Sequence, residues 1–139
     1  MTTLRAEDYI QCQMTLFNVA RGLDTHDPSL AATQFSEHGT WTWKGRDLHG
    51  RESIAAALAS RDPLVVTRHI TSNLVCEMSG PDTINATCTV VTYKSRASDT
   101  DEPAALEQPV SILDYNDTLV REASRWLIIQ RSSMRILAI

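Results

Sequence analysis

Several features that would assign a function directly are missing from this chain of 139 residues. It has no phosphate-binding glycine loop, no nucleophile elbow and no His/Cys cluster with the spacing of metal ligands. Its net charge is −4 and it has no basic block, which argues against nucleic acid as a partner. No apolar run is long enough to cross a bilayer. Residues 1–8 place charges where a secretory signal would need an apolar core. We therefore expect a cytoplasmic protein that binds neither nucleic acid nor membrane.

Cysteine is also scarce. Cys12, Cys76 and Cys88 are an odd number with wide gaps, which fits neither a disulfide framework nor a zinc ribbon. All three lie among apolar residues, so we predict buried thiols that act as small hydrophobic side chains. We expect neither a metal nor a cofactor.

The chain has the length of one domain, residues 1–139, which can bury about two thirds of its unfolded surface. Hydrophobic spacing and an Asp27-Pro28 helix start predict helices over 4–23, 27–39 and 51–60. Strands are predicted over 40–44, 67–78, 83–93, 110–120 and 125–137, and the polar segment 95–103 is predicted to be a mobile hairpin loop. Helices followed by strands predict an α+β fold, in which three helices pack on one face of a curved, mostly antiparallel sheet and enclose a cavity.

The strand around His69 carries an unusual polar row. Alternation places one set of side chains on one face of the strand: Thr67, His69, Thr71, Asn73 and Val75. The opposite face receives another set: Arg68, Ile70, Leu74, Cys76 and Met78. An imidazole, hydroxyls and an amide, none of which brings a fixed charge, suit the wall of a partly buried pocket. The alternative is an ordinary row that faces solvent.

Asp24 is the second residue of interest. It follows Ala20 by four residues and Phe17 by seven, so the helix points it toward the same side as the apolar stripe. A carboxylate on that side must be paired or functional, because an isolated buried charge is costly. The alternative is that Asp24 caps a neighbouring turn or faces solvent. Asp27, in contrast, has a sufficient structural role as a helix cap.

The order of these motifs resembles the SnoaL-like group of the nuclear-transport-factor-2-like superfamily. The resemblance rests on five segments spread over nearly the whole chain: Asp24-x-x-Asp27, Phe35 to Trp43, Gly50 to Ile54, Thr67 to Asn73, and Leu113 to Arg121 followed by Trp126. It implies a cone-shaped α+β barrel that forms dimers through the outer sheet face. If the polar row lines the cavity, Ile70, Leu74 and Cys76 face outward and a second subunit would cover them.

The resemblance also implies roles for individual residues. In the dehydratase and dehydrochlorinase members, an Asp at the end of the first helix and a His on the first long strand form an acid–base pair, and these positions correspond to Asp24 and His69. The cavity-lining aromatic corresponds to Trp41. A tyrosine that several dehydratases place five residues before the Asp is replaced here by Val19, which puts a tyrosine-assisted dehydration in doubt.

The sequence thus predicts a cofactor-independent lyase or isomerase, of the dehydratase, dehydrohalogenase or polyketide-cyclase kind. His69, oriented by Asp24, would abstract a proton from a small hydrophobic, ring-bearing molecule. The expected substrate-binding residues are Trp41, Trp43, Thr71, Asn73 and Tyr115. The alternatives are a non-catalytic ligand-binding dimer and a small subunit of a ring-hydroxylating dioxygenase with an iron-containing partner.

Overall fold

The computed structural model describes residues 3–107 and 109–139. Three helices and six strands are found in these residues. The helices are α1 (Ala6–Asp24), α2 (Pro28–Ala32) and α3 (Arg51–Ala59). The strands are β1 (Phe35–Trp43), β2 (Arg46–His49), β3 (Val65–Gly80), β4 (Thr83–Arg96), β5 (Ser111–Glu122) and β6 (Arg125–Ala138). None of these helices combines the length and the apolar character that a membrane span requires.

The six strands form one mixed sheet in the order β2-β1-β6-β5-β4-β3. All neighbouring strands are antiparallel except β1 and β6, which run parallel. This confirms the predicted α+β class with a mostly antiparallel sheet. The curved sheet is not closed, because β2 and β3 are its two edges among the described strands.

Strand register aligns the core in rows across the sheet. One row continues from strand to strand over five strands: Met78, Ile84, Leu119, Ile128 and Phe35. Helix α1 covers this face with four buried side chains: Cys12, Leu16, Val19 and Leu23. Each large apolar side chain buried in this way stabilises the fold by about 1.5–3 kcal/mol.

Polar anchors fix α1 against the sheet. The indole N–H of Trp126 donates to Asp8 Oδ1 at 3.0 Å, and the Thr15 hydroxyl donates to the Trp126 carbonyl at 2.7 Å. Near the other end of α1, His26 Nε2 lies 2.7 Å from the Val65 carbonyl at the start of β3. The last turn of α1 therefore lies beside the first half of β3.

The close packing of α1 and α2 explains Gly22. A Cβ atom at this position would lie 2.6 Å from the backbone nitrogen of Ala31. Asp27 caps α2 as predicted, because its carboxylate accepts the N–H of Leu30 at 3.0 Å. The predicted end of α2 near residues 38–39 is wrong, since the helix ends at Ala32 and β1 already begins at Phe35.

A β-bulge in β3 corrects the predicted faces of that strand. Asn73 has φ +54°, and the pairing with β4 shifts between Ser72 and Val75. Before the bulge the odd-numbered residues face inward. After it the even-numbered residues do so, which places Leu74, Cys76 and Met78 against the core rather than outward. The prediction that Leu74 and Cys76 face outward is therefore wrong.

The three cysteines are free thiols. Cys12 and Cys88 are buried in the apolar core as predicted, and Cys76 is partly buried. The predicted loop 95–103 begins later than expected, because β4 continues to Arg96.

Candidate functional site

The structure brings Asp24 and His69 together at the junction of α1 and β3. The Nδ1 atom of His69 lies 2.6 Å from Asp24 Oδ1, and each side chain is only 12% exposed. The fold explains this contact, because α1 ends at Asp24 beside the inward-facing half of β3. Residues 67, 69 and 71 precede the bulge and face inward, so the imidazole of His69 points toward the helix.

Three donors hold the Asp24 carboxylate. Besides the imidazole, the backbone N–H of His69 donates to Oδ2 at 3.0 Å and the Thr67 hydroxyl donates to Oδ1 at 3.0 Å. Burial by itself favours the neutral acid, but the hydrogen bonds from His69 and Thr67 outweigh it and lower the pKa of Asp24 below its ordinary value. The carboxylate is therefore ionised at neutral pH.

This arrangement determines the tautomer of a neutral His69. Since ionised Asp24 only accepts hydrogen bonds, Nδ1 must carry the proton in the 2.6 Å contact. The lone pair of the neutral ring is then on Nε2. A histidine in this state can accept a proton at Nε2 while the carboxylate stabilises the resulting imidazolium.

An open cavity of about 400 Å³ lies beside the pair. Its walls come from the end of α1 and the first half of β3: Phe17, Ala20, Arg21, Asp24, Thr25, Arg68, His69, Ile70 and Thr71. Its volume is within the range of small-molecule pockets. Asp24, His69 and Thr71, all predicted as site residues, thus face the same space.

A second, much smaller cavity of about 10 Å³ lies deeper between α1 and the sheet. His69, Thr71 and Ala20 line both cavities, and Tyr115 and Arg131 line only the inner one. A space of this size holds about one water molecule or one ligand atom. His69 therefore lies between a ligand-sized outer space and a polar inner end.

The inner end contains a buried ion pair. Arg131 Nε and Nη2 donate to the two carboxylate oxygens of Asp117 at 2.7 and 3.1 Å. Strand register explains the pair, since Asp117 on β5 lies directly opposite Arg131 on β6. The third guanidinium nitrogen, Nη1, has no hydrogen-bond partner among residues 3–107 and 109–139.

Tyr115 packs against this ion pair. The Arg131 guanidinium lies 4.5 Å from the centre of the Tyr115 ring. Burial raises the pKa of the Tyr115 phenol, against the opposing effect of Arg131. Burial lowers the pKa of Arg131, but the charge and hydrogen bonds of Asp117 outweigh this and raise it. The inner cavity is therefore lined by a protonated phenol and a charged guanidinium, both of which can donate.

Three predicted site residues lie elsewhere. Trp41 is 1% exposed in the core, stacked on Phe35, and lines neither cavity. Trp43 is at the end of β1, where Lys44 lies over its ring. Asn73 is exposed on the bulge of β3. The predictions that these three side chains line the cavity are wrong. Trp41 packs into the core and Trp43 packs against that core, whereas the bulge in β3 leaves Asn73 exposed.

Sequence reasoning did not find Arg131, which lines the inner cavity, or its partner Asp117. The available signal is the hairpin of β5 and β6, whose pairing aligns two opposite charges. For metal ions, no group of three His, Cys, Asp or Glu side chains in the described part of the chain lies close enough to hold one.

Comparison with protein families identifies the fold family. The model of the SnoaL-like domain matches residues 4–132. The chain belongs to the SnoaL-like family. No curated protein sequence matches this SnoaL-like chain significantly.

Solved structures resemble this SnoaL-like domain over almost its full length. A point variant of Rv3472 of Mycobacterium tuberculosis, a protein of unknown function, has a TM-score of 0.81 and 19% identity, with 97% of this chain and 80% of that chain covered. A protein of Novosphingobium aromaticivorans, provisionally called a scytalone dehydratase, has a TM-score of 0.78 and 17% identity over 96% and 87% of the chains. ActVI-ORFA of Streptomyces coelicolor has a TM-score of 0.76 and 21% identity over 92% and 97%. At these identities the similarity establishes the fold.

Proposed function

We propose that this SnoaL-like protein is a cofactor-independent lyase or isomerase that removes a proton from a small, ring-bearing molecule. The observation that carries the proposal is the 2.6 Å contact between Asp24 and His69 at the wall of a cavity of about 400 Å³. Family membership and the scytalone dehydratase-like neighbour support small-molecule chemistry of this kind.

The proposed reaction begins at His69 Nε2. The neutral imidazole takes a proton from a carbon next to a carbonyl or a leaving group, and Asp24 stabilises the imidazolium that forms. The electron pair left on carbon then expels the leaving group, shifts into a double bond or attacks a second carbonyl. These three outcomes correspond to elimination, isomerisation and cyclisation. General-base assistance contributes on the order of 10²–10⁴ in rate.

The inner cavity offers the complementary donors. A carbonyl oxygen that becomes negative during proton removal is stabilised by donors already oriented toward it. The Thr71 hydroxyl, the Tyr115 phenol and Arg131 Nη1 are proposed for this role, since all three residues line the same inner cavity as His69. Tyr115 would then supply the phenol that is absent at position 19, where this chain has Val19.

The test measures proton removal and does not require the natural substrate to be identified. A panel of ring-bearing ketones is incubated with the protein in D₂O, and exchange of the C–H next to the carbonyl is followed by NMR. We expect Asp24→Asn and His69→Ala to reduce exchange on the order of 10²- to 10⁴-fold. The exposed His49 is the matched control, so His49→Ala is expected to leave exchange unchanged.

Exchange that survives His69→Ala would contradict the proposed base. Ligand binding without exchange by any member of the panel would favour the alternative, a non-catalytic ligand-binding protein. Circular dichroism of each variant distinguishes a lost base from a lost fold.

We further propose a homodimer that pairs the outer faces of two sheets. One row of apolar side chains crosses that face on four strands: Ile70, Val91, Ile112 and Leu137. Ile70 is 53% exposed and Leu137 is 61% exposed. Ile70 is at the end of this row, on the edge strand β3, where it also borders the outer cavity. A second copy that covers the row would remove apolar surface from water.

A further inference from the structure

The mouth of the outer cavity carries more positive charge than the protein as a whole. The chain has 13 Lys and Arg against 17 Asp and Glu, yet the residues that line the cavity include two arginines, Arg21 and Arg68, and one acid, Asp24. That acid is already bound by His69 and Thr67. The local charge balance is thus opposite in sign to the overall one.

Both guanidinium groups retain free donors. Arg68 uses Nη1 for the carbonyls of Thr67 and Asp24, at 2.7 and 3.4 Å. Its Nε and Nη2, and the whole guanidinium of Arg21, have no acceptor among residues 3–107 and 109–139. Arg68 is held by two backbone carbonyls, so its remaining donors are partly preorganised beside the cavity.

Neighbouring elements increase the positive potential at this end of the molecule. Arg61 donates to the carbonyl of Leu23, one residue before Asp24. Burial lowers the pKa of Lys44, and the charges of Lys94, Arg61 and Arg46 lower it further, which places these cations near one another. Lys94 and Arg68 line a common groove, which also contains Glu107. An excess of positive charge around a cleft attracts ligands of negative charge.

The other walls of the cavity are apolar. Phe17 is 42% exposed and Ile70 is 53% exposed, and both face the cavity together with Ala20. Exposed aromatic and aliphatic side chains beside two cations match a molecule with a ring at one end and an anionic group at the other.

We propose that the ligand of this site is a small ring-bearing carboxylate. Its carboxylate binds Arg21 and Arg68 at the mouth, its ring contacts Phe17, and its reacting carbon reaches His69. Only the contact between the reacting carbon and His69 rests on the proposed function.

The test compares two probes of nearly identical shape, 2-naphthoate and 2-naphthamide. Isothermal titration calorimetry measures both against the wild type, Arg21→Gln, Arg68→Gln and Arg125→Gln, the last being an exposed arginine that lines neither cavity. We expect the wild type to bind naphthoate at least about tenfold more tightly than naphthamide. Arg21→Gln and Arg68→Gln each weaken naphthoate binding by about three- to tenfold, while Arg125→Gln does not.

Salt gives a second readout. Raising the ionic strength is expected to weaken naphthoate binding and leave naphthamide binding unchanged, because only the anion interacts with the guanidinium groups electrostatically. Three results would overturn the proposal. They are equal affinity for the two probes, no binding of either probe, and a preference for naphthoate that persists in both Arg21→Gln and Arg68→Gln.

His69→Ala separates this inference from the proposed function. The variant is expected to keep its preference for naphthoate, since the carboxylate does not contact the imidazole. A protein that binds naphthoate selectively but exchanges no C–H protons would refute the catalytic proposal and support the carboxylate site.

Discussion

The tautomer of His69 is the sharpest prediction from the Asp24 contact. We expect the neutral imidazole of the wild type to carry its proton on Nδ1, with the lone pair on Nε2. The prediction concerns the resting protein and needs no substrate. It therefore tests the physical basis of the proposed base independently of turnover.

The size of the preference follows from the partners in the contact. A hydrogen bond to a charged group contributes about 1.5–3 kcal/mol, and about 1.4 kcal/mol is a tenfold ratio. Asp24 is 12% exposed, so solvent screens the contact only weakly. The Nδ1–H form should outnumber the Nε2–H form by roughly 10- to 100-fold. In Asp24→Asn the partner is neutral, and the preference should fall below about tenfold because a neutral hydrogen bond contributes about 0.5–1.5 kcal/mol.

The assay is the ¹⁵N chemical shift of the two imidazole nitrogens at alkaline pH, where histidine side chains are neutral. The protein contains an internal control, because His26 Nε2 lies 2.7 Å from the Val65 carbonyl and must donate its proton there. His26 should therefore show the opposite tautomer, and Asp24→Asn should not change it. A wild-type His69 with its proton on Nε2, or a ratio that Asp24→Asn leaves unchanged, would refute the reasoning.

Three further predictions concern stability and assembly. Arg131→Met should lower the free energy of unfolding by about 3–5 kcal/mol in urea melts, because it leaves Asp117 buried without its partner, and adding Asp117→Leu should restore most of the loss. An Arg131→Met variant that is as stable as the wild type would contradict this expectation. Asn73→Val should lower the free energy of unfolding by about 1–3 kcal/mol, because a β-branched residue is strained at φ +54°. Asn73→Gly should leave the free energy of unfolding nearly unchanged, and equal losses in the two variants would argue against the bulge. Leu137→Lys should convert the proposed dimer to monomer in light scattering at micromolar concentration, and a wild-type monomer would refute the dimer.

The fold class and the central contact could be predicted because their signals are local. Helical spacing from Phe17 through Ala20 determines the direction of Asp24, and strand alternation determines that of His69. Their meeting required in addition that the end of α1 lie beside the start of β3. The turn through His26, held to Val65, provides this arrangement.

The strand β1 shows why other parts could not be predicted. Residues 35–39 read as the end of a helix because the segment follows an Asp-Pro cap and contains Phe35 at helical spacing. Its partner is β6, which runs parallel to it and is about ninety positions further along the chain. A strand stabilised by such a distant partner leaves little local signal. Trp41, further along the same strand, is buried in the core rather than at the cavity.

The bulge at Asn73 explains how one strand serves both the site and the core. In a regular strand the face that carries His69 and Thr71 would continue through Asn73 to Val75, which would leave Cys76 pointing toward solvent. The extra residue reverses the alternation, so that the polar part of β3 lines the cavity and the apolar part packs beneath α1. The boundary between site and core along β3 is therefore a backbone feature. Because Asn tolerates a positive φ better than most residues, its presence in this run of strand-forming residues was the available sign of the bulge.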